Sequence, residues 1–355
     1  MAPYLLLQAP VQAVIQDRAT GVPICNLSNN DSEVKWERRL GRPSRASARL
    51  GTRGIEDCAE CLGRIGTWGH ELAIYRGESL VWVGPVVDID DDTVDFTFRI
   101  TAADRMTWVE ERVTLRDIDH SIRGVDSSTY FAELFAEADG ADAIGLTLQI
   151  NRNTGDWIDK FLAAGSSVQA EMRRVSNDIF DWTVVGDRLF AGVDAYDLPP
   201  FQTLTNSAWE DSGVSVIQDG KMIVTHVTVL GDNGIEATHP RGEIIPHPFF
   251  GLHHISITDR DITTLQAART RAQALWEDSS SGSAPVYLTS SRSLGSRCPA
   301  TWGDLIPGRF FVFLIEGTAS TYELNQRLTQ VKGEATDGQE TRVVVSFQPP
   351  TEVSA

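Results

Sequence analysis

The chain has 355 residues, and 49 acidic against 31 basic side chains leave a formal charge of −18. That charge argues against binding a phosphate backbone over a broad surface, and suits a surface that DNA passes without sticking. With 41% hydrophobic and 23% charged residues and no apolar run near the roughly 20 needed to span a bilayer, it reads as a soluble protein of two or three domains.

The opening "MAPYLLLQAPVQAVIQDRATG" lacks a basic leader and is broken by Gln8 and Pro10, so it reads as structure and not as a secretion signal. To about Thr114 the pattern is β-rich, with "ELAIYRG", "SLVWVGPVVDI" and "TVDFTFRITAAD" as short runs between turn residues. Arg76 to Ser79 forms a hairpin turn in this reading. Gly84-Pro85 marks a bulge, bend or edge, because proline cannot donate to a ladder.

Within this region "KWERRLGRPSRASARLGTR", Lys35 to Arg53, carries seven basic residues against Glu37 alone. It is either a strand with solvated arginines or a basic strip that docks on an acidic neighbouring subunit. Cys58 and Cys61 form the one CxxC of the four cysteines. Ile55, Cys58, Leu62 and Ile65 recur at helical spacing, so these cysteines are expected as small apolar groups on a short helix. Free thiols at Cys25, Cys58, Cys61 and Cys298 fit synthesis in a reducing cytoplasm, and His70 is the one nearby third ligand.

From about Leu115 the period changes. "DSSTYFAELFAEAD" offers Asp126 or Ser127 as a cap and an apolar stripe from Tyr130 to Ala138. "TGDWIDKFLAAG" reads as a shorter helix, and "SSVQAEMRRVSNDIFDW" as one opened by a capping box at Ser166 and Gln169. "DWTVVGDRLFAG" is a hairpin about Gly186-Asp187. The last third returns to strands, interrupted by one helix in "DITTLQAARTRAQALWED". "VWVGPVVDIDDDTVDFTFRITA" and "LNQRLTQVKGEATDGQETRVVVSFQP" share a plan of strand, turn and strongly β-branched strand, from an internal duplication or from two independent hairpins. The expected fold class is α+β, mostly β: β-barrel-like domains at 1–114 and 207–355, the latter with a helix near 262–278, and an α/β module at 115–206 between them.

Chemistry is scarce. Asp88, Asp90 and Asp92 have the spacing that opens a calcium loop, but Thr93 and Arg99 stand where it needs glycine and glutamate, so an acidic hairpin turn is favoured. His239, His247, His253 and His254 are the best metal or acid/base candidates, on a segment broken by prolines 240, 246 and 248. A histidine-rich loop beside an aromatic pair is more often an interface. Nine tryptophans are spread over every segment, some expected at subunit contacts. With no nucleophile elbow, phosphate loop or HExxH, the chain is expected not to be an enzyme: no catalytic, cofactor-binding or metal-binding residue is assigned.

"CNLSNNDSEVKWERRLGRPSRASARL", "LAIYRGESLVWVGPVVDI", "AADRMTWVEER", "IFDWTVVGDRLFAG" and "DLIPGRFFVFLIEG" together resemble, in order, the minor tail proteins of long-tailed actinobacteriophages, which are similar to the baseplate hub family. The resemblance implies a structural virion protein at the distal end of the phage tail. Three copies would form a ring, each giving two tube-like barrels, so that a threefold tail tip meets a sixfold tube and DNA passes during genome ejection. It implies as partners the distal tail protein and tail tube, the tape-measure protein in the lumen, and other tail-tip or receptor-binding proteins outside. Because the chain ends at Ala355 soon after the second set of strands, a receptor-binding or lytic role of its own is weakened. The rivals are a metal-dependent hydrolase of cell-wall or surface glycan built on the histidine loop, and a carbohydrate-binding adhesin using exposed tryptophans.

Overall fold

The computed structural model describes residues 10–348, apart from 29–31, 52–59, 152–153, 155–156, 177–179, 193–195, 197, 211–213, 219–222, 261, 279–285, 289–290 and 319. The opening residues 1–9, Ile55, Cys58 and Ile179 lie outside the described residues.

Alternation of apolar and polar side chains builds the first seven strands. These are β1 (Val11–Asp17), β2 (Pro23–Asn26), β3 (Ser32–Arg39), β4 (Arg45–Gly51), β5 (His70–Arg76), β6 (Ser79–Asp92) and β7 (Thr97–Ala103). In β4, Ala46, Ala48 and Leu50 are buried while Arg45 and Arg49 are exposed, the period of two that a one-faced sheet requires. The β5–β6 turn is at Gly77, whose φ of 57° a side chain would strain. Strand β6 pairs with β5 as far as Pro85 and with β7 from Val86 onward. The Gly84-Pro85 step is therefore where one strand changes partners. A Cβ on Gly84 would stand 1.8 Å from the Ala103 carbonyl oxygen, so only glycine permits the approach.

A short helix α1 (Thr107–Glu110) leads into the middle segment, which contains β8 (Ile118–Asp119), β9 (Val125–Asp126), α2 (Ser127–Ala141), β10 (Thr147–Ile150), β11 (Trp157–Ile158), β12 (Phe161–Leu162), α3 (Val168–Val175), β13 (Asp181–Val185) and β14 (Arg188–Gly192). Asp126 caps α2 by accepting from Ser128 N–H at 3.0 Å. The helix expected in "TGDWIDKFLAAG" is instead β11 and β12, each pairing with a two-residue strand near the start of α2. Those tertiary pairings override a pattern too short to nucleate a helix. The cap of α3 is Ser167, accepting from Ala170 N–H at 3.2 Å, one residue beyond the expected Ser166; Gln169 reaches Glu110 instead of closing a capping box. Helices α2 and α3 and the β10–β14–β13 sheet enclose a core of Tyr130, Phe131, Leu134, Phe180 and Trp182.

The remaining elements are β15 (Phe201–Thr205), β16 (Val216–Gln218), β17 (His226–Leu230), β18 (Glu236–His239), β19 (His254–Thr258), α4 (Leu265–Asp278), β20 (Val286–Leu288), β21 (Ser291–Ser293), β22 (Phe310–Glu316), β23 (Thr321–Thr336) and β24 (Gln339–Phe347). The largest sheet has 12 strands, running β15-β22-β23-β3-β4-β7-β6-β5-β1-β2, with β24 joined to β23 and β21. Strands from both ends of the sequence thus share one sheet, through a β3–β23 register that sets Trp36 opposite Gly333. The sheet curls back on itself: Val11 N–H donates to the Gly338 carbonyl at 2.8 Å, and Pro10 bridges Gln339. Asp337 and Gly338, with φ of 51° and 71°, make the tight β23–β24 turn.

Two compact units result. The first comprises Met1–Ser212, Ser291–Phe313 and Arg327–Ser346; the second comprises Gly213–Ser290, Leu314–Gln326 and Phe347–Ala355. In the second, α4 buries Ala268, Ala272 and Leu275 against Val227, Val229 and Ala237 of β17 and β18. With 48% strand and 17% helix among the described residues, the fold is mostly β.

Candidate interaction face

The large sheet carries a polar outer face on an interior fixed by buried charges. Arg38 is 1% exposed. Its guanidinium donates to the carbonyls of Val81 at 2.9 Å, Trp302 at 2.7 Å and Leu305 at 3.0 Å and lies over the Trp302 ring. Burial lowers its pKa to about 9, leaving it charged at neutral pH. Trp302 packs on Trp36, with ring centroids 5.4 Å apart, and its Nε1–H donates to Glu340 at 2.8 Å. Glu340 in turn pairs with Arg76 at 2.7 Å, and burial pushes its carboxyl up to about 7 despite that partner. Asp104 accepts from Ser44 N–H and Oγ–H and from Met106 N–H, yet burial raises it to about 6. Arg38, Glu340 and Arg76 tie β3, β5, β6 and β24 to the Trp302–Leu305 segment, while Asp104 ties the end of β7 to Ser44 before β4.

Outward lies a groove of about 400 Å³ on β4, β3, β23 and β24, bordered by Lys35, Glu37, Arg45, Lys332, Glu334 and Arg342. Its floor is Gly333, beneath which Trp36 lies. Lys35 is shared between Glu33 at 2.6 Å and Glu334 at 3.3 Å, and Arg39 pairs with Glu37 at 2.9 Å, so each groove carboxylate has a cation beside it. Arg45, Lys332 and Arg342 are exposed and have no ion-pair partner among the described residues; Arg342 donates only to Ser293 Oγ, at 2.9 Å. Of the basic strip read from the sequence, Lys35, Arg45 and Arg49 face outward on β3 and β4, Arg38 is instead buried in the interior, and Arg53 lies outside the described residues; Lys332 and Arg342 join the outward cations from the far end of the chain. Sequence reasoning missed Lys332 and Arg342, since nothing local to residues 35–53 points to them.

The other candidates are scattered. Asp88 and Asp90 project from the outer side of β6, opposite Thr101 and Arg99, while Asp92 accepts from Val94 and Asp95 N–H to close the turn. His239 packs on Trp276, His254 bonds Thr228 Oγ1 at 2.8 Å, and His253 contacts the Phe250 carbonyl at 3.0 Å. His247 Nδ1 accepts from Phe249 and Phe250 N–H at 3.2 Å, holding a turn that leaves Phe249 exposed. Among the described residues no three His, Cys, Asp or Glu side chains converge as a metal site.

Cysteine behaviour departs from expectation: Cys25 and Cys61 form a disulfide, Cα atoms 5.7 Å apart, joining β2 to the segment before β5. Residues 36 apart in sequence meet only in the folded sheet, which spacing could not reveal. Cys298 is a buried free thiol whose pKa burial raises to about 11. Trp36, Trp82, Trp182, Trp209 and Trp302 are core residues, whereas Trp68 and Trp157 are exposed.

Among solved structures, the chain is similar to the 43 kDa tail protein of prophage MuSo2 from Shewanella oneidensis, with a TM-score of 0.62 at 12% identity over 96% of this chain and 98% of that one. It is also similar to the tail protein from Neisseria meningitidis, at 0.61 and 13% over 95% and 96%. A third is prophage tail protein gp18 from Listeria monocytogenes, at 0.58 and 10% over 97% and 95%. No protein-family model matches the chain, and no curated protein matches it in sequence. The fold is therefore one that phage tail proteins adopt.

Proposed function

We propose that this protein is a structural hub of a phage tail tip, of the kind found in long-tailed actinobacteriophages, and that it acts as a homotrimer without enzymatic activity. Likeness in fold over nearly the full length to three tail proteins from different bacteria carries the reading. In it, segments 1–114 and 207–355 supply tube-like strands to a ring, and 115–206 forms a module facing other tail-tip or receptor-binding proteins. The ring joins a sixfold tail tube and distal tail protein to a threefold tip, at the distal end of the virion tail, and an acidic chain lets DNA and the tape-measure protein pass without adhering. Reconstruction of the assembled tail tests this. Three copies around the axis are expected, and a single copy there would overturn the proposal.

A further inference from the structure

Two surfaces of the large sheet carry charge that the chain itself leaves uncompensated. The first is the groove of β4, β3, β23 and β24, where Arg45, Lys332 and Arg342 have no ion-pair partner among the described residues, while Lys35 is held between Glu33 and Glu334 and Arg39 by Glu37. The second is the β6–β7 hairpin: residues 88–103 hold Asp88, Asp90, Asp91, Asp92 and Asp95 against Arg99 alone. Arg49 and Arg99 stand opposite each other across the β4–β7 ladder, with Glu33 opposite Arg49 and Asp90 opposite Arg99, so that row carries two charges of each sign. Asp88 faces the neutral Thr101, and Asp91 and Asp95 are exposed near the turn.

We infer that the groove receives the acidic β6–β7 hairpin of a second copy of this chain, in a head-to-tail contact. The inference deepens the hub reading and rests on it for the closure of such contacts into a ring. Copies bearing −18 each repel one another at long range, so a stable contact between them needs a local surplus of the opposite sign on one side. The groove is such a surplus, and the complementary hairpin lies on the same molecule. Groove and hairpin are unlike patches that adjoin where Asp88 faces the groove residue Thr101, so each copy can receive at one and donate at the other, and a contact between unlike patches that repeats head to tail is heterologous, the type that generates rings. A long polyanion fits less well, since the rest of the chain opposes it.

Two variants of the full chain test this, each with Cys58 and Cys298 replaced by alanine and one cysteine added, Arg342→Cys or Asp91→Cys, mixed in equal amounts under mild oxidation. Disulfide dimers joining the two variants should exceed dimers of either alone at least tenfold, and should decline as salt shortens the screening length from about 10 Å at 0.1 M to about 3 Å at 1 M. Adding Arg45→Glu and Lys332→Glu to the first variant should cut the yield at least tenfold, and Asp88→Lys with Asp95→Lys in the second should restore it. All four positions are exposed, and unchanged melting curves would verify folding. Equal yields of all three dimers, or no restoration by the reversed pair, overturn the contact. Groove-dependent retention on heparin without directed cross-links would also overturn it, assigning the groove to a polyanion. A trimer in the tail with unselective cross-links refutes the contact and leaves the hub; selective cross-links with a single copy in the tail do the reverse.

Discussion

Trp36 packs against the inner side of Gly333 across the β3–β23 ladder, so close that a Cβ on the glycine would stand 2.3 Å from Trp36 Cζ2. This pair joins the N-terminal and C-terminal strands and floors the groove. Trp36 is hemmed in on its other side by Ala46 in the β4 register and by the Trp302 ring, so it has nowhere to retreat. Gly333→Ala is expected to destabilise the first unit by about 1–3 kcal/mol through overpacking, read from the midpoint of urea unfolding. An unchanged midpoint would mean that the tryptophan has room the packing denies it.

Arg38 satisfies three backbone carbonyls with one planar fork. Lysine has a single ammonium and cannot reach all three, so Arg38→Lys should cost about 2–4 kcal/mol as buried acceptors lose their donor. Arg38→Met should cost at least as much. Chemical denaturation of both variants checks the order.

Asp104 gives a pH dependence with a definite sign. Burial raises its folded pKa from 3.8 to about 6, so between those values the folded state holds a proton that the unfolded state has released. Its contribution is fully present below about pH 4 and is lost as pH rises through about 6; Glu340, raised from 4.5 to about 7, acts in the same direction. Asp104→Asn should flatten the pH 4–6 part of the stability profile. A wild-type profile whose Asp104-dependent part rises with pH over this range would contradict the assignment.

The Cys25–Cys61 bond closes a loop across 36 residues. On the loop-entropy relation, its reduction should remove about 4 kcal/mol at most, and strain or residual structure lowers that figure. Melting with and without reductant should show the drop, while a Cys25→Ala variant should melt alike in both. Insensitivity of the wild type to reductant would remove the bond from the stability account.

Much of the local structure was legible because it rests on short-range physics. The Gly77 turn, the Gly84-Pro85 irregularity in β6, the Asp126 cap and the β13–β14 hairpin each follow from residues within a few positions of one another. The reading failed where pairing partners were remote. Trp157–Ile158 and Phe161–Leu162 became strands because β8 and β9 bind them, and Cys61, expected as a free apolar thiol, is bonded to Cys25. The groove was half visible: the cations of β3 and β4 stand together in sequence, while Lys332 and Arg342 reach them only because β23 docks beside β3.

The sequence by itself determined a mostly β chain with strong negative charge and no recognisable catalytic signature, since period, turn chemistry and composition are local properties that survive in any arrangement. Tertiary structure alone decided that the first and last strands share a sheet, that Trp36, Trp82, Trp182, Trp209 and Trp302 are buried, and that unpaired cations gather on one outer face. The reason is physical: strand register and sheet order are set by which apolar faces and hydrogen-bonding edges meet, and those meetings join residues about 300 positions apart.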